Sequence, residues 1–255
     1  MKYKQYMIFF TLVSSMAYGL EINSVSQAVD VAGKQRMFTQ RMLKDYAMIG
    51  MQNTFGKPDE DLTTTIKSFD DATNALLSYG KSTELKQSIE EMNVLWTPLK
   101  KTLQSTATVE NVAKLQGDLE VLLKVADETT KLFEKESGSD AGKIVNISGR
   151  QRMLSQRMAS LYMLKVWGVN DPEFKEKMDK AMDLFKTSLL KLEKSELNTE
   201  EINLYLKKVK RSYMFFEMMN KSKSKFVPTL IYKKSDDILK NMNSATQAYV
   251  ALEIK

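Results

Sequence analysis

The sequence predicts an all-α protein made of two tandem up-down four-helix bundles, each opening on a long helix that carries a shared motif. Three observations predict it. Apolar residues recur at three- and four-residue steps, and strand-like alternation is absent. Gly and Pro are scarce, 10 and 4 in 255 residues, which favours long helices over frequent turns. Segments 33–48 and 149–164 share eight identities in sixteen positions, so the helical plan is duplicated.

Residues 1–19 read as a secretory signal peptide. Lys2 and Lys4 give a basic start, Met7 to Val13 an apolar run, and Ala17-Tyr18-Gly19 small residues around a cleavage point. The run falls short of the about 20 apolar residues an uncleaved anchor helix needs. A periplasmic protein is expected, with no membrane span in the mature chain. Losing Lys2 and Lys4 lowers the formal net charge from +6 to +4.

The first bundle is assigned to 20–138 and the second to 139–255. The motif helices cover 22–53 and 140–168. Gly56-Lys57-Pro58 breaks the chain after the first, and Gly168 to Pro172 after the second. There Asp171 and Pro172 read as the N-cap and first residue of the next helix. Second helices near 59–79 and 172–195 follow from Phe69, Ala72 and Leu76, and from Met178, Met182, Phe185, Leu189 and Leu192. Third helices cover 83–104 and 199–226. Trp96 anchors one, Tyr213, Phe215 and Phe216 enrich the other, and Thr97-Pro98 predicts a kink. Fourth helices span 108–136 and 230–252. Short connections favour antiparallel neighbours. Glu136 to Gly142 reads as the linker, short enough for the fourth helix to run nearly straight on into the next.

Hydrophobic content of 43% and charged content of 27% are those of an ordinary globular protein. The chain has no Cys and no His, which excludes disulfides, thiol nucleophiles, His-based triads and ordinary zinc sites. No acidic stretch is spaced like a calcium loop. No catalytic residue, metal or cofactor is assigned, and the chain is not read as an enzyme. The clusters Lys207, Lys208, Lys210, Arg211 and Lys221, Lys223, Lys225 read as solvated helix faces, with no nucleic acid as partner.

The repeat carries the functional information. Five of the six arginines lie in Gly33-Lys34-Gln35-Arg36-Met37-Phe38-Thr39-Gln40-Arg41-Met42 and Gly149-Arg150-Gln151-Arg152-Met153-Leu154-Ser155-Gln156-Arg157-Met158. Everywhere else, apart from Arg211, basic residues are lysines, so the planar guanidinium fork is wanted at two places. Paired donors of that kind serve oxyanion recognition. At roughly 100° per residue, Gly33 and Gln40 centre one helix face, with Arg36 and Arg41 about 140° apart on either side. Val31, Phe38, Met42, Tyr46 and Ile49 make the opposite, core-facing side. The same wheel fits Gly149, Arg152, Gln156 and Arg157. One helix therefore offers half a site, and two motif helices meeting at their glycines would offer a whole one. The partner helix belongs either to the same chain or to a homodimer.

These segments resemble the signature of type IV pili methyl-accepting chemotaxis transducer N-terminal (PilJ-type) domains. They are also similar to the P-box of nitrate/nitrite sensor kinases. The resemblance is strong over about twenty residues of each copy. It implies a four-helix bundle that senses outside the membrane, with an anion held between two motif helices. Carried over by position, it implies Gly33, Arg36, Gly149 and Arg152 as ligand residues, with Arg41 and Arg157 matching the second arginine. Gln40 and Gln156 join them from the wheel. The transmembrane helices and cytoplasmic domains of such receptors have no counterpart in the residues matched.

Two functions compete. One is an exported sensory module that binds a small oxyanion, nitrate or nitrite first, and reports to a separate membrane transducer. The other is an interaction protein whose motif faces dock helices within the chain or in a homodimer.

Overall fold

A computed structural model describes residues 20–221 and 227–252, so the expected signal peptide lies outside the described residues. Eight helices follow in order: α1 Val25–Gly50, α2 Pro58–Tyr79, α3 Thr83–Leu103, α4 Val109–Ser137, α5 Asp140–Val166, α6 Phe174–Glu193, α7 Glu200–Lys221 and α8 Pro228–Leu252. Among the described residues no strand forms, and no helix is long and apolar enough to cross a membrane.

Local sequence sets the helix starts. Ser24, Ser82, Thr108 and Ser139 each accept a hydrogen bond from the backbone N–H three residues on, satisfying a donor that the first turn leaves open. Pro58 opens α2, where its missing donor costs nothing. Asp171 and Pro172 do not open α6, contrary to the sequence expectation. The Asp171 carboxylate accepts from Glu173 N and Lys177 Nζ, which holds Pro172 in a turn and delays the helix to Phe174. Helix α3 runs on through Pro98. The carbonyl that Pro98 leaves unbonded belongs to Val94, which is exposed, so water can serve it.

Helices α1 to α4 close a ring, α1 packing on α2 and α4, and α3 on α4 and α2. Helices α5 to α8 repeat that ring. Their cores correspond. Phe69 packs on Trp96 with ring centroids 4.3 Å apart, and Phe185 stacks on Tyr213 at 4.5 Å. Gln35 donates to the carbonyl of Phe69 and Gln151 to that of Phe185, tying each motif helix to its second helix in the same way.

The most extensive helix contact of all joins the two rings, α1 against α5. The pair runs parallel: Gly33 meets Gly149 and, further along both helices, Gly50 meets Trp167. Helix α4 runs antiparallel to α5, with Glu134 on Asn146, Asp127 on Arg150 and Glu120 on Arg157. The chain therefore reverses between the bundles and does not run straight on. Gly138, in the left-handed region at φ 59°, ends α4, and Ser139 at once caps α5. The linker is thus two residues long.

Candidate functional site

The motif helices meet at their glycines. A Cβ built on Gly33 would lie 4.0 Å from the Cα of Gly149, 3.2 Å from Arg36 Nη2 and 3.6 Å from Arg152 Nη2. From Gly149 the corresponding distances are 3.9 Å to the Gly33 Cα, 3.2 Å to Arg152 Nη2 and 3.4 Å to Arg36 Nη2. Two guanidinium groups thus fill the space that the missing side chains leave.

Both guanidinium groups are fully buried. Arg36 reaches Asp127 of α4 at 2.5 Å and donates to the Asn146 carbonyl of α5 at 3.3 Å. Arg152 donates to Asn243 Oδ1 of α8 at 2.7 Å and to the Asp30 carbonyl of α1 at 3.4 Å. Its Nη2 also lies 2.7 Å from Asp30 Oδ1, an ion pair whose alignment falls short of a hydrogen bond. Each arginine therefore bridges the two bundles and meets one carboxylate.

Titration behaviour follows. Burial pushes Arg36 down to about 10 against the pull of Asp127. Burial disfavours the charged form of Asp127, yet Arg36, Lys131 and Arg150 outweigh it and hold the carboxyl at about 2. Asp30 is likewise opposed by burial, and Arg152 and Lys34 hold it below the ordinary range. Arg36, Asp127 and Asp30 therefore keep their charges across the neutral range.

The other sequence-predicted residues lie further along the seam. Gln40 donates to Glu120 at 3.2 Å and accepts from Ser160 of α5. Gln156 donates to the Ser235 carbonyl of α8. Arg41 turns away to grip Asp61 of α2, donating from Nη2 at 2.7 Å and from Nε at 3.2 Å. Arg157 pairs with Glu120 of α4 at 2.9 Å. So Gly33, Arg36, Gly149 and Arg152 come together; Gln40 and Arg157 share Glu120, and Gln156 and Arg41 each serve a separate contact.

Sequence reasoning passed over several residues. Asp30 and Asp127 neutralise the crossing, and Asn146 and Asn243 occupy the related places. The 116-residue offset of the repeat, applied beyond 33–48, pairs Asp30 with Asn146 and Asp127 with Asn243. A second buried polar cluster exists only on the first motif helix. Lys44 reaches Asp236 at 2.9 Å and covers the Tyr232 ring at 3.8 Å, and the Tyr232 hydroxyl donates to Asp61 at 3.0 Å. Asp45 is fully buried beside them. Their counterparts by the same offset are Ser160, Glu120, Gln116, Lys177 and Leu161, so no sequence likeness marked the cluster.

Among the described residues, Nε of Arg36 and Nε of Arg152 are buried guanidinium donors with no acceptor in reach. A groove of about 460 Å³ between α4 and α5 reaches Arg36, Asp127 and Arg150 from outside. Among the described residues no group of three or more acidic side chains is placed to hold a metal ion.

Comparison with curated proteins and with solved structures returned no match. The family model described as the N-terminal region of type IV pili methyl-accepting chemotaxis transducers matches residues 21–127 and 135–211. The first segment runs from α1 into α4, and the second from the end of α4 through α5 and α6 to the middle of α7. Repeat, bundle and glycine crossing agree with that match, and the chain belongs to the type IV pili methyl-accepting chemotaxis transducer N-terminal (PilJ) family, in two tandem copies.

Proposed function

We propose that this protein is a periplasmic sensory module whose motif helices act as an internal clasp, joining two PilJ-type bundles into one pseudo-dimeric unit that reports to a membrane transducer. One observation carries the clasp: Arg36 and Arg152 are fully buried, and each is matched by a carboxylate. A buried arginine already paired in this way has no net charge to offer an external oxyanion, and breaking such a pair costs about 3–5 kcal/mol. Family membership supports the sensory role.

A second reading keeps the small oxyanion, nitrate or nitrite, between the motif helices. It draws on the two unmatched Nε donors and on the groove that reaches Arg36. In it Gly33, Arg36, Gly149 and Arg152 contact the anion, with Gln40, Gln156, Arg41 and Arg157 around them.

One titration separates the two. Residues 20–255 are melted in nitrate, nitrite, sulfate and chloride at millimolar concentration, with Arg152→Ala alongside. The clasp predicts no anion-specific rise in Tm and a large loss in Arg152→Ala. An anion-specific rise that Arg152→Ala abolishes would establish the second reading. Cross-linking in membranes of the source cells tests the transducer, and recovery of no membrane protein would count against it.

A further inference from the structure

The relation that carries each residue onto the one 116 places later is broken on the α1–α5 seam, and the breaks are complementary. Asp30 corresponds to Asn146, and Asp127 to Asn243. Arg36 takes its carboxylate from its own bundle, Asp127 at 2.5 Å, and an uncharged carbonyl from across the seam. Arg152 does the reverse, taking an amide oxygen from its own bundle at 2.7 Å and the carboxylate of Asp30 from across. Two first-bundle surfaces crossed in this way would set two arginines among four carboxylates. Two second-bundle surfaces would set two arginines among none. Lys34 on Asp30, and Lys131 and Arg150 on Asp127, add positive charge at the rim. For the two fully buried arginines, only the mixed crossing gives each of them one carboxylate, and a buried charge left unmatched is costly because the interior screens it poorly.

Shape repeats the pattern at the far end of the seam. The Trp167 ring lies over Gly50 so closely that a Cβ there would stand 2.0 Å from Cζ2. By the same offset Gly50 corresponds to Val166, and Trp167 to Met51. Two second-bundle surfaces would drive the indole into a valine. Two first-bundle surfaces would leave the glycine facing a methionine, with a void between them.

We propose that the α1–α5 seam is a heterotypic pairing code: the motif surface of the first bundle takes that of the second as its partner and rejects a second copy of itself. Gly33 and Gly149 permit any such crossing, while Asp30, Asp127, Gly50 and Trp167 choose which one forms. This rests on the clasp reading above.

The test uses the full chain, read by thermal unfolding and by size exclusion with light scattering. Asp30→Asn removes the carboxylate of Arg152 with little change of shape, and Tm falls by about 6–20 °C. Asn243→Asp returns a carboxylate to Arg152 from the other side. It raises Tm in the Asp30→Asn background, yet gives no gain in the parent, where Arg152 is already matched. In the same way Gly50→Val lowers Tm, and adding Trp167→Met recovers part of the loss. If Asp30→Asn alone leaves Tm unchanged, the clasp reading fails. If Asp30→Asn lowers Tm but Asn243→Asp acts equally in both backgrounds, the clasp stands and the pairing code is overturned. Should Asp30→Asn fail to fold, folding of the double variant supports the code, and its failure to fold overturns it. A stable dimer of the parent chain joined through two first-bundle surfaces also overturns it.

Discussion

Gly33 and Gly149 face each other with no side chain of their own between them, and a methyl on either would approach the other's Cα, to 4.0 and 3.9 Å respectively. The space belongs to the guanidinium groups of Arg36 and Arg152. Glycine within an exposed helix costs about 1 kcal/mol relative to alanine, so a larger residue would stabilise a free helix surface. Here Gly149→Leu must separate α1 from α5. Its Tm falls steeply, and fluorescence of Trp167, which sits on Gly50, shifts to the red as the seam opens.

Arg152→Lys keeps the charge but loses the fork that serves Asn243 and Asp30 together. A loss of about 2–4 kcal/mol follows from breaking a buried charged contact, measured by denaturant unfolding. Arg157→Lys, at a partly exposed pair with Glu120, costs under about 1 kcal/mol. Equal losses at the two positions would refute the distinction between them.

Asp45 supplies a pH dependence of unusual sign. Burial pushes its carboxyl up to about 7; Lys44 and Arg41 oppose this, and Asp61 and Asp236 add to it. An unfolded aspartate titrates near about 3.9, so between these values the folded chain keeps a proton that the unfolded chain has lost. This contribution is full below about pH 4, falls as pH rises to about 7, and is level beyond. Asp45→Asn removes the fall. The difference in unfolding free energy, variant minus parent, should grow from pH 4 to pH 7, by up to about 1.4 kcal/mol per pH unit.

Asp127 has the opposite sign. Its carboxyl is held down at about 2, so its contribution is present above about pH 4 and is lost as pH falls through about 2. Asp127→Asn should lower Tm at pH 6, and parent and variant should converge near pH 2.

Tyr232→Phe tests the second polar cluster. The change keeps the ring beneath Lys44 and removes the hydroxyl donated to Asp61. A loss of about 1–2 kcal/mol is expected from a buried hydrogen bond to a charged acceptor, read as a fall of about 2–8 °C in Tm.

The helices were legible because their cores keep strict three- and four-residue spacing, as in Phe69, Ala72 and Leu76. The meeting of Gly33 with Gly149 was legible in part: a wheel showed a small residue flanked by polar ones and left open which helix it met. The arginine partners were not legible. Asp30 precedes the motif by three residues, but Asp127 and Asn243 lie ninety-one residues beyond their arginines, a separation only the ring packing of α4 and α8 brings together. The buried Lys44 and Asp45 were hidden for a different reason. Charged residues on a helix are usually solvated, and only the complete enclosure of α1 by its neighbours makes these two interior.

The two-residue turn at Gly138 and Ser139 has a consequence for assembly. Because α4 brings the chain back beside the start of α1 before α5 begins, the second bundle is delivered already alongside the first. Docking is then intramolecular, governed by an effective concentration that a short tether sets in the millimolar range or above, whatever the amount of protein in solution. The union of the two halves should be indifferent to dilution. A seam formed at that effective concentration does not need the self-complementarity that a dimer of identical chains must keep.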